Sequence, residues 1–213
     1  MDFVVRLFRT LANVQRLQLV QYLLGHPSST VSQTATALSL PLHDASRHLK
    51  RLFEVGVLEG RPSGRYVLST FPDAQGARHP VLREVRRLLT AHLGEDQLDA
   101  AARAVGLEGS APTWQEVHDA MCFEFTAFTH LRRLLILRRL CENGPTALDE
   151  IVRGVGMSEM AARRQLDKLA RRGLIVGDSV GRKQPVALRE LVETPFRRAL
   201  LGGLLGYFRE LAN

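Results

Sequence analysis

Sliding the chain along itself produces one coherent register, at an offset of 117 residues, running without a gap from Phe8/Phe125 to Arg65/Arg182. Its identities include Arg16/Arg133, Leu17/Leu134, Leu23/Leu140, Arg47/Arg164, Leu49/Leu166, Leu52/Leu169, Gly56/Gly173, Gly60/Gly177 and Gly64/Gly181. Apart from the two arginine pairs, these are apolar spacers and turn glycines, the positions that a shared fold holds. Other pairs keep apolar character, such as Val31/Leu148 and Leu40/Met157. Two copies make a duplicated unit rather than a solenoid. A chain of 213 residues gives each copy enough length to bury its own core.

Within the first copy, Leu11, Val14, Leu17, Val20 and Leu24 recur at helical spacing and predict a helix over about 8–25. Gly25-His26-Pro27 ends it. A short helix is expected over Thr30–Leu38, then a tight turn at Ser39-Leu40-Pro41. A third helix follows over Leu42–Val55, with Leu42, Ala45, Leu49 and Leu52 on its inner face and Gly56 closing it. Val57–Glu59 and Tyr66–Leu68 flank Arg61-Pro62-Ser63-Gly64 and read as a β-hairpin. The second copy repeats this order, with a helix to Cys141, a break at Asn143-Gly144-Pro145, a helix near Leu148–Val155, a turn at Gly156-Met157-Ser158, a helix to Arg172 and a hairpin around Gly181. Each copy ends in one more helix, about Pro80–Leu93 and Pro195–Leu211, with proline in the first turn, where its missing N–H costs nothing. The expected fold class is mainly α with small β-wings, as two tandem winged helix-turn-helix domains.

Charge follows the same division. Residues 1–93 carry a net +6, residues 94–113 a net −3 and residues 114–213 a net +4, within a total of +7. We therefore read an N-terminal domain over 1–93, a partly helical connector over 94–113, with a helix at Asp96–Val105, and a C-terminal domain over 114–213. Excess positive charge attracts phosphate backbones. The two cysteines, Cys122 and Cys141, form no disulfide framework and suit a reducing, cytoplasmic setting. The N-terminus lacks the pattern of a signal peptide, and no apolar stretch approaches a membrane span, so no membrane partner is expected.

The first copy resembles the ArsR/SmtB family of bacterial winged-helix repressors. The resemblance is carried by Leu11-Ala12-Asn13 before Arg16-Leu17, by Ser46-Arg47-His48-Leu49-Lys50, by Gly56-Val57-Leu58-Glu59 and by Gly64-Arg65-Tyr66. The second copy resembles it through Arg133-Leu134, Leu166, Leu169, Gly173-Leu174-Ile175 and Gly181-Arg182. The resemblance implies operator binding, with double-stranded DNA as the partner. Two features depart from the family pattern. Leu42 and Asp44 stand where a small polar or amide pair is usual, and the chain carries two unequal modules where one per chain is usual.

The third helix of each copy is the expected recognition helix. In the first copy its outer face carries His43, Ser46, Arg47, His48, Lys50 and Arg51; in the second it carries Arg163, Arg164, Gln165 and Lys168, with Arg171 and Arg172 beyond. Arginine and lysine read guanine edges in the major groove. Arg61 and Arg65, and then Arg182 and Lys183, fall at the hairpins, where a wing touches backbone or minor groove.

Many relatives of this family sense metals, but the residues here do not follow their motifs. Val31–Ala35 carries no thiol, His79 is displaced from His92 and Glu95, and Gly94 interrupts the expected helix. His118 and Cys122, four apart, form at most a half-site. No metal or other cofactor is expected, and buried structural cysteines are the simpler reading. No phosphate-binding loop or nucleophile elbow marks an enzyme. Met121–Leu137 reads as one helix that is apolar nearly all round, suited to a core between modules or chains.

Two functions follow. The first is a DNA-binding transcriptional repressor that reads an operator with two winged-helix modules. The alternative is a non-catalytic tandem winged-helix scaffold in a chromosome-associated complex; basic rows on both recognition helices favour the first. The assembly is a monomer acting as a pseudo-dimer or a homodimer, and the sequence names no effector.

Overall fold

The structure, a computed structural model, describes residues 1–107, 111–177, 185–190 and 193–212. It is mainly helical, with two small three-stranded antiparallel sheets. Contacts divide it into a first unit, Arg6–Thr126, and a second, Ala127–Asn213 together with Met1–Val5.

In the first unit the chain runs α1 (Asp2–Leu11, whose first residues group with the second unit), α2 (Val14–Gly25), β1 (Ser29–Thr30), α3 (Val31–Ala37), α4 (Leu42–Glu54), β2 (Glu59–Ser63) and β3 (Tyr66–Thr70). A short 3₁₀ turn at Ala74–Gly76 leads to α5 (Pro80–His92), α6 (Leu98–Ala104) and α7 (Trp114–Thr126). The helix expected over 8–25 is divided, because Asn13 is extended and its side chain accepts from the Arg16 N–H at 3.1 Å, starting a new helix. Thr30 starts α3 with a capping box, its hydroxyl accepting from the Gln33 N–H while the Gln33 side chain accepts from the Thr30 N–H. The wing is β2 and β3 paired in register from Glu59↔Thr70 to Ser63↔Tyr66, with Gly64 in the left-handed conformation at its tip. β1 adds a third strand on the far side of β3, giving the order β1-β3-β2.

The second unit runs α8 (Leu131–Asn143), β4 (Thr146–Ala147), α9 (Leu148–Val155), α10 (Glu159–Arg171), β5 (Ile175–Val176), β6 (Pro185–Leu188) and α11 (Pro195–Ala212). Its sheet has the order β4-β6-β5, the same topology. At the offset of 117 residues, α4 superposes in sequence on α10 at both ends, and β1 on β4 likewise. The supposed helix Met121–Leu137 is two helices. Thr126 ends α7, and the His130 ring caps α8 by accepting from the Arg132 N–H at 3.2 Å. His130 is the repeat partner of Asn13, so both copies break the chain at one place with different capping side chains.

Each unit buries its own core. Phe8, Leu17, Leu23, Leu49, Leu52 and Phe125 are buried in the first, with the Phe8 and Phe125 rings 6.0 Å apart. Phe128, Leu134, Leu166, Leu169, Phe196 and Phe208 are buried in the second. Within the acidic stretch, α6 contacts α5 and α7, and α7 packs on α2. Apolar burial of Val117, Met121 and Phe125 joins α7 to the first unit, so the contact division falls after Thr126. Among the described residues no helix is long and apolar enough to cross a membrane.

Candidate nucleic-acid interface

The helix-turn-helix of the first unit is α3, a turn at 38–41 and α4. Ala45, His48, Leu49 and Leu52 face the core, where α4 meets α2 and α3. Ser46, Arg47, Lys50 and Arg51 are exposed, as is His43 in the first turn. Two expectations change here. Leu42 is not an inner-face residue; it is 56% exposed. His48 is not on the outer face; it is 7% exposed. The inner face thus runs Ala45–His48–Leu49–Leu52, an i, i+3, i+4, i+7 stripe. Leu42, at the very start of the helix, projects beyond it.

Asp44 does not face outward alone. Its carboxylate pairs with the Arg47 guanidinium one turn on, and the His43 Nε2 lies 3.5 Å from its other oxygen. The acid therefore holds Arg47 close to the helix. Beneath α4, Arg16 of α2 is half-buried beside His48. Burial and the neighbouring Arg51 push the Arg16 pKa down, and burial with Arg16 and Arg47 pushes His48 down. His48 is then neutral at neutral pH and adds no charge for phosphate.

In the second unit the equivalent face is α10. The repeat assigns Ala162, Gln165, Leu166 and Leu169 to the inner stripe, and all four are buried. Gln165 is 6% exposed, so it too lies inward rather than on the contact face. Arg164, Lys168 and Arg171 are exposed. Arg163 is half-buried, its Nε and Nη2 donating to Glu159 at 3.1 and 2.9 Å. Gln165 is the repeat partner of His48, and the buried Arg133 is the partner of Arg16. Each unit therefore places an arginine and a polar side chain under its recognition helix.

Arg61 and Arg65 are exposed on the first wing, the Arg65 guanidinium lying 5.0 Å from the Tyr66 ring centre. Arg182 and Lys183 of the second wing lie outside the described residues. The sequence reading missed Arg86 of α5. This side chain is 3% exposed, and it donates to the Gly56 carbonyl and, at 3.0 Å, to the Asp73 carbonyl. Its Nη2 also lies 3.5 Å from Glu59. It ties the end of α4 to the start of the wing. Its signal was its setting, since Leu82, Val85 and Leu89 around it on α5 are all buried.

The His79 ring is committed as the cap of α5, accepting from the Val81 N–H at 3.2 Å, and Glu95 lies 3.7 Å from His26. Burial and Asp119 raise the Cys122 thiol pKa, which keeps the thiol protonated at neutral pH. Among the described residues no group of three or more His, Cys, Asp or Glu side chains is placed to hold an ion.

Residues 130–176 match the winged helix-turn-helix DNA-binding family, covering α8 to β5. The chain is also 35% identical over 81 residues to the HTH-type transcriptional regulator NmtR of Mycobacterium tuberculosis, an overlap of 36% of this chain and 67% of that protein. No solved structure matches it.

Proposed function

The chain belongs to the winged helix-turn-helix transcriptional regulators, the family of NmtR, and from that premise we propose that it is an ArsR-like repressor reading duplex DNA with both of its units. The observation that carries this reading is the paired recognition helix. α4 and α10 occupy one repeat position, bury the same four places and turn arginine and lysine outward. A scaffold has no need of those rows.

Recognition helices enter the major groove with their N-terminal residues on base edges. Arg47 and Arg164 occupy one repeat position on their helices and are the candidates for guanine contacts. Ser46, Lys50, Arg51 and Lys168 follow the backbone, and Arg61 and Arg65 bring the wing to phosphate or minor groove. Arg182 and Lys183 are assigned the same role on sequence alone. Because the two faces differ, the operator is expected to be asymmetric when one chain fills it.

The test is binding to a site selected from genomic DNA. Each lost guanine contact costs ~1–3 kcal/mol, so Arg47→Ala with Arg164→Ala should weaken binding by roughly two orders of magnitude or more. Affinity should also fall steeply with salt as phosphate contacts release counterions. Wild-type affinity in the double variant removes the proposal. Light scattering with a footprint then separates one chain on an asymmetric site from a homodimer on a palindrome.

A further inference from the structure

The first unit contains a cavity of about 480 Å³ at the C-terminal end of α2, lined also by α7, by Glu95 and by the end of α3. Its volume falls within the ~300–1,000 Å³ range of small-molecule sites. Two ring stacks line it: Tyr22 on His26, with centroids 4.4 Å apart and planes nearly parallel, and Trp114 on His118 at 5.9 Å.

Charge in this cavity has one sign. Glu95 supplies a carboxylate, and no lysine or arginine is among the described lining residues. The α2 helix ends here with no basic residue in its last turn, and the ring Nδ1 of the following residue, His26, lies 3.1 Å from the Tyr22 carbonyl and 3.7 Å from the Glu95 carboxylate. The Glu95 carboxylate lies where a side chain on Gly25 would stand, against that same helix end. A carboxylate and a helix C-terminus repel, and a cation placed between the rings relieves both. His118 adds a second unmet demand. It is 2% exposed, burial pushes its pKa down to about 4, and neither ring nitrogen has a hydrogen-bond partner among the described residues. A neutral imidazole in that position accepts from a ligand N–H.

We propose that this cavity binds a small planar organic cation, a nitrogen heteroaromatic that stacks on the Trp114 and Tyr22 faces, pairs with Glu95 and donates to His118. Aromatic faces with a nearby carboxylate select such cations over anions of the same shape. Leu38, which caps α3 and opens the turn into α4, also lines the cavity. A ligand pressing on Leu38 shifts the recognition helix, which makes the site an effector site; this last step rests on the regulator reading above.

The chain's single tryptophan is Trp114, so its fluorescence reports occupancy directly. The probe is 4-amino-1-methylquinolinium, titrated by calorimetry and fluorescence into the full chain without DNA, with 2-naphthoate as the anionic counterpart. The expected result is saturable one-to-one binding, a change in Trp114 emission and roughly tenfold or greater preference for the cation. Glu95→Gln, at an exposed position, should weaken the cation about tenfold without lowering the unfolding midpoint. No saturable binding, equal binding of 2-naphthoate, or an unaltered Glu95→Gln affinity overturns the site. A second arm measures affinity for the selected DNA with and without the probe. A changed affinity supports the effector role, and an unchanged one overturns that role while the calorimetry still judges the site. A chain that binds no DNA sinks the regulator reading, again leaving the calorimetric result to stand by itself.

Discussion

The two units share a frame and differ in what they hang on it. At repeat positions the helix starts, the turn and the strand order agree, yet the stabilising groups have been exchanged. Asn13 caps α2 where His130 caps α8. Thr30 forms a capping box on α3, whereas Ala147 gives α9 no side-chain cap. Asp44 restrains Arg47 across three residues, whereas Glu159 restrains Arg163 across four. Beside the glycine that follows the recognition helix, the first unit places Arg86 from the middle of α5, and the second places Arg197 from the start of α11. These arginines are not repeat partners. The comparison teaches that the topology constrains where a polar group is needed, while the residue that meets the need is free to change.

The largest test of that difference is Arg86. Replacing it with leucine leaves the Gly56 and Asp73 carbonyls without their buried donor, at a cost of about 3 kcal/mol. Trp114 lies in the first unit, so urea unfolding followed by its fluorescence isolates this loss. DNA affinity should fall as well, because the wing loses its tie to α4. A midpoint within error of wild type would show that the clamp is ornamental and that α5 packing alone holds the wing.

Acid supplies the second contrast. His48, His92 and His118 all have pKa values depressed by burial, and all lie in the first unit. For such a group the unfolded chain takes up a proton first. Stability is therefore complete above the ordinary histidine range, near pH 6.5, and declines as pH falls toward the folded value. For His118, with a folded value of about 4, the decline is worth up to about 3 kcal/mol over that window. The Trp114-reported midpoint should drop between pH 7 and 4, and His118→Phe should flatten much of the slope. An unchanged slope in that variant would assign the acid sensitivity elsewhere.

How much of this was legible beforehand follows from what the repeat carries. The offset alone aligned α4 with α10 and predicted both wings, because core leucines and turn glycines recur with it. The strands β1 and β4, two residues each, were not legible, since two residues show no alternation. Leu42 and His48 exchanged faces because the true stripe begins at Ala45, and a helix of 13 residues fixes its phase weakly from one end. The contact division after Thr126 has no composition change to mark it, since the charge change lies earlier, at 94–113. The cavity was invisible for a plainer reason: its walls come from α2, the end of α3, Glu95 and α7, four places far apart in sequence.

A smaller effect probes the restraint on the reading arginine. Asp44→Asn releases Arg47 and removes a negative charge from a helix that would lie beside phosphates. Exposed pairs of this kind are worth ~0.2–1 kcal/mol, so affinity should rise by roughly twofold to tenfold when both changes are counted. Glu159→Gln should give less, because Arg163 is more buried than Arg47 and has less reach to gain. Equal gains at the two sites would erase the proposed inequality between the faces. A loss of affinity at Asp44 would show instead that the acid aims Arg47 at its base.

The smallest effect lies in the turn before the recognition helix. Ser39 has φ of 51° and its repeat partner Gly156 has φ of 65°, so both copies require the left-handed conformation at one place. Glycine adopts it freely, while a residue with a Cβ is strained there by ~1–2 kcal/mol. Against that, glycine loses ~0.4–1 kcal/mol of unfolded-state entropy on folding. Ser39→Gly should therefore stabilise the first unit by about 0.5 kcal/mol, and Gly156→Ser should destabilise the second by a similar amount. Trp114 fluorescence reads the first change, and far-ultraviolet circular dichroism of the whole chain reads the second. Opposite signs confirm that the turn, not the residue, is what the duplication has kept. A destabilised Ser39→Gly variant would mean that the serine hydroxyl holds the turn, and the two copies would then differ even in how they enter the helix.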